Sequence, residues 1–191
     1  MDLDKLFDTL LPKIEEMSEV SDTGWSHDRS LAMQELDSCA VILWGTVFDF
    51  CLCAYHTCGG LDLDKNGFQE CRDIYFDERT QPLTRHILKQ TLKGRVVALG
   101  ELAEHRYRRN SQNFGKLTRK LRDDVLWRMR DIQVWSVDVV NGTDRNGKKR
   151  VLCYKISAGP FLLSYHERVF VPLRRKQIIA VGVHLQEEES S

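Results

Sequence analysis

The residues able to hold an ion or a phosphate fall in three short stretches. Cys51, Cys53, His56, Cys58 and Cys71 offer sulfur and imidazole nitrogen, the donors that zinc takes in a four-coordinate tetrahedral site. Their spacing, C-x-C-x2-H-x-C-x12-C, differs from the paired C-x2-C steps of standard zinc fingers. On a helix Cys53 and His56 share one face. Cys53, His56, Cys58 and Cys71 therefore form a zinc set only if the chain breaks near Gly59 and folds back. Burial as small hydrophobes accounts for the same cysteines without a metal. The second stretch, Gly142-Thr-Asp-Arg-Asn-Gly147-Lys148-Lys149, comes close to the phosphate-wrapping G-x4-G-K-[ST] loop. It has Lys149 where magnesium needs a hydroxyl and stands between two strand-like runs, so it reads as a hairpin loop.

The third stretch is Asp62-Leu-Asp64-Lys-Asn66-Gly67-Phe68-Gln69-Glu70-Cys71-Arg72-Asp73. It resembles the twelve-residue calcium loop of the EF-hand family. The resemblance implies side-chain oxygens from Asp62, Asp64, Asn66 and Asp73, a backbone carbonyl from Phe68, a water-mediated contact from Glu70, and a sharp turn at Gly67. The chain departs from the family at Asp73, where a longer bidentate Glu belongs, and at Gln69, where an aliphatic residue belongs. Gly59-Gly60 interrupts the entering helix, and no second loop accompanies the first. Asp, Asn and Gly in this order also make an ordinary Asx-rich turn.

Enzyme signatures are missing: no G-x-S-x-G, no H-E-x-x-H and no dinucleotide fingerprint. A Cys–His pair assembled in space around His166 is the remaining route to catalysis, and a non-catalytic protein is the preferred reading. No run of 18 uncharged apolar residues occurs, and the longest, Ala40–Tyr55, contains Asp49, so no membrane span is expected. The N-terminus lacks a basic-then-apolar signal pattern. The six cysteines are accordingly expected as reduced thiols of a cytoplasmic or nuclear protein.

These residues need elements to place them. Of the 191 residues, the first 130 or so carry helical spacing. Leu3, Leu6, Leu10, Ile14 and Met17 line one helix face, which Pro12 is expected to kink or split. A second helix, capped by Ser26 or Asp28, is expected to run to about Thr57, with Leu36, Val41, Leu43, Trp44, Phe48 and Leu52 in the core. Further helices fit Leu83–Leu92, Val96–Leu102 and Leu117–Met129. Period-two alternation then begins at Trp135, Val137 and Val139 and resumes at Leu152, Tyr154 and Ile156. Residues 161–173 and 178–185 read as two more strands. The expected fold is a single α+β domain over 1–191: a helical part over 1–130, acidic then basic, packed on an antiparallel β-meander over 131–186, with a flexible tail at 187–191.

Net charge is zero, yet residues 1–80 hold 17 acids against 6 bases and residues 81–191 hold 22 bases against 11 acids. The halves thus carry −11 and +11. Either the halves neutralise each other, or the basic half meets a polyanion. Its cations form three groups: Arg106, Arg108, Arg109, Lys116, Arg119, Lys120 and Arg122; then Arg145, Lys148, Lys149 and Arg150; then Arg174, Arg175 and Lys176. In a four-strand meander the last two groups meet at one end of the sheet, and Tyr107, Phe114 and Trp127 lie near the first. The leading expectation is a regulatory protein that binds RNA or DNA, or an acidic protein surface, through the basic half. The rivals are a protein-interaction module of the small regulatory or virus-encoded kind, docking through its helical half, and a calcium- or zinc-stabilised regulatory domain.

Overall fold

A computed structural model describes residues 2–19, 25–26, 28–57, 65–76, 81–99 and 119–189. The fold is α+β: mostly helical, with a three-stranded antiparallel sheet in the C-terminal half. The chain forms two compact units, one of Met1–Phe68 with Ser164–Ser191 and one of Gln69–Leu163.

The first unit is helical. Helix α1 (Leu3–Glu19) buries Leu6, Phe7, Leu10 and Ile14 and runs unbroken through Pro12. Pro12 lies on the solvent side, where a carbonyl left without its backbone donor stays hydrated, so the helix continues. Helix α2 (Arg29–Ile42) starts at Asp28, whose carboxylate accepts the Leu31 N–H at 2.9 Å. It continues through a π-helical turn, π1 (Leu43–Val47), into α3 (Phe48–His56). This is the long helix expected to end near Thr57. Leu36, Leu43, Phe48 and Leu52 are buried, Trp44 is half-buried, and Val41 is 68% exposed rather than in the core. By length and composition alone Arg29–His56 is apolar enough to cross a membrane; half of its most apolar stretch is buried within the protein.

The largest correction lies in the C-terminal stretch. Residues 160–189 form no strands. They are helical throughout, as α7 (Pro160–Tyr165), π3 (His166–Phe170) and α8 (Val171–Glu189). Phe161, Tyr165, Val169, Leu173, Gln177 and Val181 are all buried, each four residues from the next. That row is a helix face. Four-residue steps drift around a helix of 3.6 residues per turn, and the wider π turn at 166–170 takes back part of the drift. Phe48 meets Tyr165 edge-on at 5.0 Å, Trp44 lies 4.7 Å from Phe170, and the Tyr165 hydroxyl donates to the Leu43 carbonyl.

The second unit holds α5 (Gln81–Leu92), ended by Gly94 at φ +73°, and the sheet. Strand β1 (Val97–Ala98) replaces the helix expected over Val96–Leu102 as far as the described residues run. A second π-helical turn, π2 (Leu121–Leu126), leads into α6 (Trp127–Asp131). Strands β2 (Trp135–Thr143) and β3 (Lys149–Ala158) form a hairpin, and the sheet order is β1-β3-β2. Helix α4 (Lys65–Tyr75) spans the boundary between the units.

Candidate nucleic-acid interface

The β2–β3 hairpin has a packed base and a bare arm. At the base Trp135 and Ile156 are buried. The rings of Trp127 and Tyr154 stand nearly perpendicular with centres 5.6 Å apart, and the Arg130 guanidinium lies 4.7 Å from the Trp127 ring centre. The turn into the base is tight. Gln133 has φ +59°, its carbonyl accepts the Phe161 N–H at 3.0 Å, and the Gly159 N–H donates to Val134 O at 2.9 Å. A Cβ on Gly159 would collide with the Gln133 carbonyl.

Further out the pairing slips by one residue. Val140 pairs with Cys153 and Asn141 with Val151, leaving Leu152 as a bulge that sharpens the twist. Its side chain covers Gly142. Beyond the bulge lie Arg145, Lys148, Lys149 and Arg150, all exposed and none in an ion pair among the described residues. The tip is held by Asp144, whose carboxylate accepts the N–H groups of Asn146 and Lys148, each at 2.9 Å. Gly147 turns the chain at φ +75°, a left-handed conformation that glycine adopts without strain. Asp144 thus spends its charge on backbone donors. Lys149 pairs with Thr143 and Arg150 with Gly142, so successive cations point to opposite faces of the ribbon. The G-x4-G-K run is this hairpin tip.

The other basic groups fare differently. Arg174, Arg175 and Lys176 sit on α8 in the first unit, not on a sheet loop, and do not continue the hairpin's surface along one sheet. The Arg174 guanidinium donates to the Leu36 carbonyl and pairs with Asp37 at 3.2 Å. Lys176 meets Glu15 at 3.0 Å, and Arg168 bridges Asp4 at 2.9 Å and Asp8 at 3.0 Å. Acids of the first half neutralise bases of the second inside this unit. Of the first group, Arg106, Arg108, Arg109 and Lys116 lie outside the described residues, with Tyr107 and Phe114. Arg119 is exposed and Lys120 half-buried, in the helical residues that lead into π2. Arg122 pairs with Asp123 at 2.6 Å; that hydrogen bond draws the Asp123 carboxyl below the usual carboxylate range and raises the guanidinium further.

The metal sets are described only in part. Asp62, Asp64 and Cys58 lie outside the described residues. Asn66 and Asp73 stand on α4, which occupies residues 65–73 of the twelve-residue run. A helix cannot wrap its oxygens around a cation as a loop does, and Asp73 instead accepts Gln69 Nε2 at 2.7 Å. Cys53 and Cys71 are buried, the Cys53 thiol donates to the Phe68 carbonyl at 3.9 Å, and His56 is exposed. Burial pushes the Cys51 thiol far up. Among the described residues no three His, Cys, Asp or Glu side chains converge as a metal site would need.

Trp127, Tyr154 and Arg130 at the arm's base form a cluster that the sequence reading did not assemble. Only Trp127 had a signal, its place beside the basic helix. No family model, curated protein or solved structure matches this chain.

Proposed function

We propose that the protein is a non-catalytic regulator that binds nucleic acid through the β2–β3 arm, gripping phosphates with little base specificity. One observation carries this reading: four exposed cations on a two-stranded ribbon whose only carboxylate beyond the bulge is turned onto the backbone. Strands about 5 Å apart make a ribbon that enters a B-form major groove about 12 Å wide. The deep, narrow major groove of an A-form duplex does not admit it, so duplex DNA is the favoured partner. The buried, cysteine-rich α3 suits a reducing compartment, the cytoplasm or nucleus.

The test is fluorescence anisotropy of labelled duplex DNA, duplex RNA and single strands at low salt. Binding of duplex DNA ahead of duplex RNA is expected, and absence of binding to all probes refutes the reading. The rival, docking of a protein through the helical half, draws on Leu31, Met33, Val41 and Ile42, exposed apolar residues of α2. A pull-down whose captured proteins survive nuclease treatment and high salt would favour it.

A further inference from the structure

We propose that Asn141 and Val151, side by side on one face of the β2–β3 arm, read A·T pairs in the major groove of duplex DNA. This inference rests on the nucleic-acid reading of the arm and names the base pair that it favours. Asn141 and Val151 are partners across the ribbon, and both are exposed. Residues directly opposite in an antiparallel pair send their side chains to the same face, with Cβ atoms about 4.5–5.5 Å apart. The bulge makes this pairing. In unbroken register the partner of Asn141 would be Leu152. The extra residue brings Val151 there instead, and the Leu152 side chain lies over Gly142, on the opposite face. Thr143 and Lys149, the next pair outward on the Asn141 face, and Val139, two residues inward, continue that face. It carries no carboxylate from Trp135 to Thr143, whereas the other face carries exposed Asp138. The Asn141 face is therefore the one turned to the bases.

Donor and acceptor chemistry selects the base pair. The asparagine amide offers both a donor and an acceptor, which match the ring-nitrogen acceptor and the amino donor on the major-groove edge of adenine. Valine offers methyl groups, which pack against the methyl of thymine. An A·T pair presents both partners in one groove. A G·C pair presents two acceptors on guanine and no methyl, so neither residue is matched. The groove is about 8.5 Å deep, with phosphates at its rims. Arg150 on the outward face and the long stem of Lys149 reach them there. Phosphates supply most of the affinity, and one read pair leaves the overall specificity low.

Anisotropy titrations of the full chain at one low salt concentration test the proposal. The probes are an A·T duplex, a G·C duplex, the A·T duplex with deoxyuridine for thymidine, and the A·T duplex with adenine replaced by its 7-deaza analogue. Both replacements alter only the major-groove edge, so a preference set by minor-groove width does not answer to them. The A·T duplex is expected to bind about fivefold tighter than the G·C duplex. Loss of the thymine methyl is expected to weaken binding about fourfold. Val151→Ala abolishes the response to that methyl and Asn141→Ala the response to the deaza change, each with the parent's thermal melt and salt slope. Equal binding of all four duplexes overturns this inference and leaves the phosphate grip standing. So does a response that persists in the variants. Absence of binding to every duplex overturns it together with the reading on which it rests.

Discussion

Phe48 sits where the long N-terminal helix meets the C-terminal one, fully buried and edge-on to Tyr165. Its contribution comes from packing rather than polar contacts. Phe48→Ala leaves a cavity that neighbours held in helices cannot close and is expected to cost roughly 3–5 kcal/mol in urea unfolding. Val41, on the same helix run but facing solvent, is the internal control. Val41→Ala should move the unfolding midpoint little, because an exposed side chain leaves no cavity. Hydropathy cannot separate these two residues; their placement on the helix does, Phe48 facing the core and Val41 the solvent. The cysteines separate by environment in the same way. Burial holds Cys51 as an unreactive thiol, and Cys153 is half-buried on the hairpin. A thiol reagent followed by peptide mass mapping should label Cys153 in the native protein and Cys51 only after unfolding. Native labelling of Cys51 ahead of Cys153 would contradict the packing described.

At the scale of elements the hairpin depends on two glycines with opposite tolerances. A side chain on Gly159 meets the Gln133 backbone, and one on Gly142 meets the flexible end of Leu152. Gly159→Ala should therefore destabilise the protein by about 1–3 kcal/mol, as overpacking against a fixed neighbour does. Gly142→Ala should cost less, since Leu152 can swing outward. Thermal melts of the two variants check the order. Much of the β arm was legible in sequence. Alternation at Trp135, Val137 and Val139, and at Leu152, Tyr154 and Ile156, marks both strands, and the Asn-Gly pairs mark the turn. The stretch 160–189 reads locally as strands because Val169, Val171, Ile178 and Ile179 are β-branched, while the four-residue row from Phe161 to Val181 carries the helix. Residues 65–75 are polar and loop-like in composition, yet Phe68, Cys71 and Tyr75 recur at helical spacing and the stretch is α4.

For the whole molecule the charge split resolves into two parts. In the first unit Arg168, Arg174 and Lys176 close on Asp4, Asp8, Asp37 and Glu15, so opposite halves of the sequence neutralise each other. Surface pairs of this kind contribute about 0.2–1 kcal/mol each; they occupy the charge of these three cations, in a unit that holds 17 acids against 8 bases. In the second unit the hairpin cations Arg145, Lys148, Lys149 and Arg150 keep theirs. The meander order that was expected to merge these cations with Arg174–Lys176 does not exist, because the chain turns helical after Gly159. Among the described residues the hairpin arm is the candidate interface, with four cations whose phosphate contacts can be counted.

That count is the most direct test. Four cations on phosphates of B-form DNA give a slope of log affinity against log salt near −3.6, and two give about −1.8. Anisotropy titrations of a labelled duplex across a salt series, on the parent and on the Lys148→Glu/Lys149→Glu variant, measure both. The parent slope is expected between about −3 and −4 and the variant slope shallower by about two units, with an unchanged melting temperature because the arm is exposed. Equal slopes for the two proteins, or a parent that does not bind at low salt, would contradict it.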